Sequence, residues 1–207
     1  MEGFQAKTVY LVGGSSGIGL AAAKELACRG AHIALFARDE KRLSKSVDEI
    51  SVCRKNKSQR ILPVRMDVSR WQEVRDGMQR TVAGFGVPDI LINCAGRAYP
   101  RRFEDIEIEQ FEETLQINLM GTIYPAVALV PSMKNKGGII VNTSSVAGLV
   151  GVFGYTDYCA SKFGIIGFSE ALRSELKPSG IKVQVLCPPD TDTPGYAVEN
   201  LTKPEET

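Results

Sequence analysis

The chain has 207 residues, enough for one domain with a substantial core, and its 25 basic and 24 acidic residues leave a formal charge of only +1, which argues against nucleic acid as a partner. Five cysteines without a Cys-x-x-Cys pair and a single histidine, His32, fit neither a metal site nor a disulfide framework and point to a reduced, cytoplasmic setting. No apolar stretch reaches the ~18 residues that span a bilayer, and the first residues do not have the pattern of a signal peptide.

In chain order, the first element is a β-rich run at 7–12. The turn Gly13-Gly14-Ser15-Ser16-Gly17-Ile18-Gly19 follows, then the helix former Leu20-Ala-Ala-Ala-Lys-Glu-Leu26. Strand, glycine turn and helix in that order form a phosphate-binding context. Glycines allow a tight turn and a close backbone approach, and the free N–H groups of the helix N-terminus favour an anion. The spacing is Gly-x-x-x-Gly-x-Gly, not the commoner Gly-x-Gly-x-x-Gly.

The second strand, 31–37, ends on Ala37, where an enzyme binding NAD usually carries an acidic residue for the ribose hydroxyl. Arg38 follows, nineteen positions after Gly19. Its guanidinium suits the 2′-phosphate of NADP(H), and Ser15 or Ser16 can add a hydroxyl donor. Asp39 remains an alternative ribose partner. Further strands are expected at 60–66, 88–93, 138–143 and 181–187, with helices between them. One long helix over 106–136 is expected to be bent or divided by Pro125. The alternation implies an α/β fold, a doubly wound parallel sheet with helices on both faces, in a single domain over 1–207. Arg101, Arg102, Lys134 and Lys136 fit solvated loop charges.

The strand at 138–143 leads to Ser145, and Tyr158 and Lys162 come next on an expected helix. Four residues apart, they share one helix face. A free phenol has a pKa near 10. A fixed cation one turn away would favour the phenolate and bring it towards a useful range. Alone, this spacing also fits a solvated helix face. Together with a serine hydroxyl aimed at the same substrate oxygen, it forms equipment for moving a proton to or from a carbonyl or an alcohol.

The glycine turn and the serine, tyrosine and lysine together resemble the short-chain dehydrogenase/reductase family over nearly the whole chain. The family's usual threonine before the glycine turn is Val12 here. The resemblance implies a Rossmann-like sheet of order 3-2-1-4-5-6 and catalytic roles for Asn118, Ser145, Tyr158 and Lys162. It places Asp67 and Val68 beside the adenine, and Asn93, Ala95 and Gly96, in Asn93-Cys94-Ala95-Gly96, along the cofactor. Thr193, or alternatively Thr191, would take the nicotinamide carboxamide, with Pro188 nearby. Asn118 would hold a water linking Lys162 to solvent. A homodimer or homotetramer is implied as well.

Beyond the last strand the text runs Cys187-Pro188-Pro189-Asp190-Thr191-Asp192-Thr193-Pro194-Gly195-Tyr196. This loop resembles the branch of 3-ketodihydrosphingosine reductases, which reduce the ketone of a long-chain sphingoid precursor with NADPH. A lipid-like ketone is then the implied substrate, and the cytosolic face of the endoplasmic reticulum the implied place for a longer form. Other short-chain reductases, acting on a 3-oxoacyl thioester or a steroid-like ketone, and an idle NADP-binding protein remain alternatives. Family members carry a seventh strand and a helical lobe after this point, so the chain is read as C-terminally short. Residues 188–195 are expected to form an ordered turn over the nicotinamide, with Asp190 and Asp192 bonded to backbone N–H groups. The chain beyond Tyr196 is expected to be mobile unless substrate or a C-terminal lobe covers it, because 199–207 has little apolar content.

Overall fold

A computed structural model describes residues 3–207. Six parallel strands form one sheet of order β3-β2-β1-β4-β5-β6: β1 Thr8–Val12, β2 His32–Ala37, β3 Ile61–Arg65, β4 Ile90–Asn93, β5 Gly138–Thr143 and β6 Ile181–Leu186. All six lie within a residue or two of their expected spans. In β1, β2 and β4 the apolar, β-branched runs carry the signal, because strands covered on both faces have no polar side to show. Edge strand β6 instead alternates, with exposed Lys182 and Gln184.

Along the central strand β1, alternate side chains feed two cores. Tyr10 and Val12 join the cluster with Phe36, Met78, Leu129 and Met133. This side is covered by α3 (Trp71–Phe85), α5 (Gly121–Met133) and the end of α6 (Thr156–Leu176). Val9 and Leu11 join Ala23, Leu26, Leu35 and Ile50 on the other side, under α1 (Gly17–Cys28) and α2 (Glu40–Val52). Each fully buried side chain of this size contributes roughly 1.5–3 kcal/mol. The sheet reverses its winding between β1 and β4, so a crevice opens beyond their C-terminal ends, where ligands of such sheets sit.

The expected single helix over 106–136 is three pieces: α4 (Ile108–Leu115), a π-helical turn Gln116–Met120, and α5. The Gly121 N–H reaches back to the Gln116 carbonyl. The interruption therefore lies ahead of Pro125, which is buried within α5. Such single π turns are frequent at functional sites, and this one carries Asn118 inward, with no exposed surface.

Two other expectations give way to tertiary contacts. The Arg101 guanidinium is mostly buried, 3.9 Å from Asp157. Arg102, Lys134 and Lys136 are exposed as expected, Arg102 pairing with Glu206 and Lys136 donating to the Val87 carbonyl at 2.8 Å. The chain beyond Tyr196, expected to be mobile, is helical to Glu199 and then folds back on the loop before α6. Pro204 packs so closely over Gly154 that a Cβ there would stand 3.1 Å from its ring, and the Thr207 hydroxyl donates to the Phe153 carbonyl at 3.2 Å.

Residues 188–195 lead into one short helix, α7 (Pro194–Glu199). Thr193 caps it, its hydroxyl accepting from the Tyr196 N–H at 3.1 Å. Asp190 accepts from the Tyr196 hydroxyl at 3.0 Å, where a backbone N–H was expected. No helix among the described residues is long and apolar enough to cross a membrane.

Candidate active site

A groove of about 460 Å³ runs across the C-terminal ends of the strands, from Arg38, Asp39 and Arg42 past the glycine turn to Tyr158 and Lys162. At its centre Gly13 has φ +83°, and a Cβ there would stand 2.4 Å from the Ala95 nitrogen. Gly19 is excluded from any larger residue by proximity, since its Cβ would meet the Gly13 carbonyl oxygen at 2.5 Å. The cradle is thus built from backbone laid against backbone. Ser16 caps α1 without a side-chain bond to the helix, which leaves the first N–H groups of α1 facing the groove. A pyrophosphate fits that chemistry.

At one end of the groove, Arg38 and Arg42 are among the lining residues, with Asp67 and Val68. Asp39 lines it too, yet its carboxylate caps α2, accepting from the Arg42 N–H at 3.0 Å. Burial pushes the Asp67 carboxyl upward. Bonds from the Ser69 hydroxyl and N–H, with the Arg38 and Arg70 charges, more than reverse this and hold it below the usual carboxylate range. Arg42 is a groove residue that sequence reasoning missed. Its signal was position, in the first turn of α2 just after Arg38.

Ser15, Ser16, Gly17, Ile18, Ala95 and Gly96 also face the groove, as do Pro188 and Thr193. Asn93 lies beneath it: its amide donates to the Asn142 side chain at 2.9 Å, and its Oδ1 is buried without a partner. Thr191 lines not this groove but a neighbouring cavity, its hydroxyl bonded to the Pro189 carbonyl.

A second cavity, of about 260 Å³, opens on the other side of Tyr158 and is lined by Ser145, Val152, Tyr155 and Pro189. Tyr158, Ile18, Pro188, Thr193 and Glu199 are walls of both cavities. Ser145 caps the short 3-10 turn Val146–Gly148, its oxygen accepting from the Ala147 N–H at 3.1 Å. Buried Asp157 accepts from the Tyr158 N–H at 2.8 Å and from the Thr114 hydroxyl at 2.7 Å, which fixes the start of α6.

Lys162 is buried, its Nζ donating to the Thr143 carbonyl at 3.0 Å and lying 5.4 Å from the centre of the Tyr158 ring. Burial brings its pKa down from 10.5 to about 8. Behind it, Asn118 donates to the Arg97 carbonyl and the Ser161 hydroxyl and accepts from the Arg97 N–H. A Cβ on Gly96 would sit 3.3 Å from Asn118 Oδ1 and 3.5 Å from Lys162 Nζ, so both side chains approach that glycine closely.

One expectation reverses. Lys162 was expected to bring the phenol towards neutrality, but burial pushes the Tyr158 pKa up to about 12. The nearby Ser145 hydroxyl draws it down, and the Glu199 charge raises it again. The ammonium is itself desolvated and bound to a carbonyl, so it does not lead the balance.

Family comparison matches a short chain dehydrogenase model over residues 7–203. The chain belongs to the short-chain dehydrogenase/reductase family. Among curated relatives, it is 44% identical over 96% of its length to a 3-ketodihydrosphingosine reductase of Bos taurus, and 42% identical over 96% to a 3-dehydrosphinganine reductase of Danio rerio. It spans 60% of the length of each. A short-chain type dehydrogenase/reductase from Mycobacterium marinum superposes with a TM-score of 0.88 at 29% identity, covering 96% of this chain and 77% of that one. Members of this family bind a nicotinamide dinucleotide, and the cradle, the helix N-terminus and the two-ended groove fit one.

Proposed function

We propose that this chain forms the cofactor-binding and catalytic portion of an NADPH-dependent ketone reductase acting on 3-ketodihydrosphingosine. One observation carries the reading: Tyr158 is a shared wall of the groove that fits a dinucleotide and of the cavity that exposes Ser145. A group bound in either cavity would meet the other across that phenol. The sphingoid substrate is supported by the names and identity of the relatives and by the Pro188-Pro189-Asp190-Thr191-Asp192-Thr193 loop. NADPH over NADH is supported by the two arginines at the adenine end and by Asp39 being engaged as a helix cap.

In this reading the glycine turn and the N-terminus of α1 hold the pyrophosphate, Arg38 and Arg42 the 2′-phosphate, and Asp67 and Val68 the adenine. Ala95, Gly96 and Thr193 lie along the remainder. NADPH supplies the hydride for the substrate carbon. Ser145 donates a hydrogen bond to the substrate oxygen and fixes its orientation. Tyr158, with its pKa at about 12, is protonated at neutral pH, and gives that proton to the oxygen as negative charge develops there. Lys162, largely protonated below about 8, stabilises the resulting phenolate. Asn118 positions Lys162 and the backbone at Arg97, and relays solvent to the ammonium. Half-exposed Val127 on α5 and Phe163 on α6 support pairing of two or four copies through these helices.

The test is NADPH consumption with 3-ketosphinganine, a 3-oxoacyl thioester and a steroid ketone, each offered in parallel. Preferential turnover of the first supports the reading. Preference for either of the others would replace the substrate, and no turnover of any would remove the enzyme.

A further inference from the structure

The wall common to both cavities holds one side chain that the proton-transfer scheme does not use. Glu199, the last residue of α7, is only partly exposed and faces the space beside Tyr158. Its Oε2 accepts from the Tyr155 hydroxyl at 3.3 Å, and the Tyr155 and Tyr158 rings lie 5.7 Å apart. One tyrosine therefore ties this carboxylate to the other. Among the described residues no lysine or arginine makes an ion pair with it, although eleven other carboxylate-bearing residues do form such pairs. The lysines that face it are engaged elsewhere, Lys162 on the Thr143 carbonyl and Lys203 over the Tyr196 ring at 4.6 Å. Asp190, on the same wall, adds a second negative charge.

A carboxylate drawn out of water without a cation is costly, and a cationic ligand group relieves that cost. Burial raises the Glu199 pKa accordingly, the Asp190 charge adding to it and the Tyr155 bond and the Lys203 and Lys162 charges opposing it. 3-Ketodihydrosphingosine carries a primary amine on the carbon next to its ketone. With the ketone oxygen between Ser145 and Tyr158, that amine lies close to the wall that Tyr158 shares with Glu199.

We infer that Glu199 receives the ammonium of an α-amino ketone and so makes the site selective for amino ketones over plain 3-oxo compounds. The inference rests on the ketone-reductase reading and narrows its substrate class. Charge-assisted hydrogen bonds are the strong ones, and a site left with an unpaired carboxylate rejects the analogue that lacks the donor.

The test measures kcat/KM of the 207-residue chain for 3-ketosphinganine and for the matched ketone without the amine, 1-hydroxyoctadecan-3-one. The wild type is expected to favour the amine by roughly tenfold or more. Glu199→Gln, which keeps an acceptor for Tyr155, is expected to collapse that ratio mainly through KM for the amine. Glu199→Asp should restore part of it. A second measurement needs no variant: dihydrosphingosine should inhibit the wild type more strongly than its N-acetyl derivative.

Each contrary result has a distinct meaning. Equal reduction of both ketones, or equal inhibition by dihydrosphingosine and its N-acetyl derivative, overturns the inference while leaving a ketone reductase. A preference that survives in Glu199→Gln also overturns it and assigns the ammonium to another group, Asp190 first. Failure of the wild type to reduce either ketone removes the 3-ketodihydrosphingosine reading and the inference together.

Discussion

The two banks of the active-site crevice are built by opposite means. The cofactor bank is backbone: Gly13 against Ala95, Gly19 against the Gly13 carbonyl, strand ends with no exposed surface behind them. The substrate bank is side chains on short and irregular pieces, a 3-10 turn at Val146–Gly148 and the six-residue α7. Backbone laid on backbone leaves little room for change, so the first bank holds one kind of ligand. A wall of side chains on short elements can be redrawn residue by residue, which suits selection among substrates.

The sharpest way to test that division is to remove the atom that belongs to both banks. Tyr158→Phe deletes a hydroxyl and leaves the ring that packs beside Tyr155. Reduction is expected to fall at least about 100-fold in kcat, about 2.7 kcal/mol of transition-state stabilisation, while NADPH affinity stays near wild type. Single-turnover kinetics with a cofactor titration measure both. Near-full turnover would show that another group supplies the proton.

Lys162→Met should be smaller in kcat but should also weaken NADPH, because that residue stands on the cofactor side. Its pH signature separates it from Tyr158. A lysine with its pKa brought down to about 8 is charged below that value and loses its charge as pH rises through it. Tyr158, pushed up to about 12, keeps its proton throughout. The rate of reduction should therefore decline above pH about 8, and the decline should vanish in Lys162→Met. A decline that persists in the variant would assign that limb elsewhere. The reverse oxidation, which needs the phenolate, should instead rise with pH.

Much of the cofactor bank was legible in the sequence because its determinants are local. A strand, a glycine turn and a helix N-terminus are contiguous, and so are β5 and Ser145. What was missed depends on segments distant in the chain. The polar contact of Asn93 with Asn142 is a pairing across β4 and β5, so Asn93 is turned into the sheet. Nothing within Gln116-Ile-Asn-Leu-Met120 announces a π turn. The role of Glu199 depends on α7 folding back over Tyr155, forty-four positions earlier. The direction of the Tyr158 shift was misjudged for a related reason. Spacing along a helix reveals a cation but not the burial that outweighs it.

Cofactor choice probes the one part of the backbone bank that side chains decide. Replacing Ala37 by Asp and Arg38 by Leu adds an acceptor for a ribose hydroxyl and removes one of two cations. Preference should shift towards NADH by roughly tenfold, with Arg42 retaining part of the NADPH affinity. Competitive titration of the two cofactors reads the shift. Tighter NADH than NADPH binding already in the wild type would refute the arginine assignment.

The smallest effect should come from the edge of the substrate bank, where residues 200–207 lie on the loop that precedes α6. Four contacts hold this stretch: Lys203 over the Tyr196 ring, Pro204 on Gly154, the Thr207 hydroxyl on the Phe153 carbonyl, and Arg102 with Glu206. The last is an ion pair with both side chains about half exposed. Such pairs contribute little, ~0.2–1 kcal/mol, because water screens the charges and two long side chains must be ordered. Arg102→Ala should therefore leave the global unfolding midpoint within about a degree or two. Its effect should be local, since a segment held by few contacts opens independently of the core. Hydrogen exchange of the backbone amides at 205–207 should accelerate several-fold, while those of β1 and β4 remain unchanged. If the core amides accelerated as well, the two banks would not be the separable units that their construction implies.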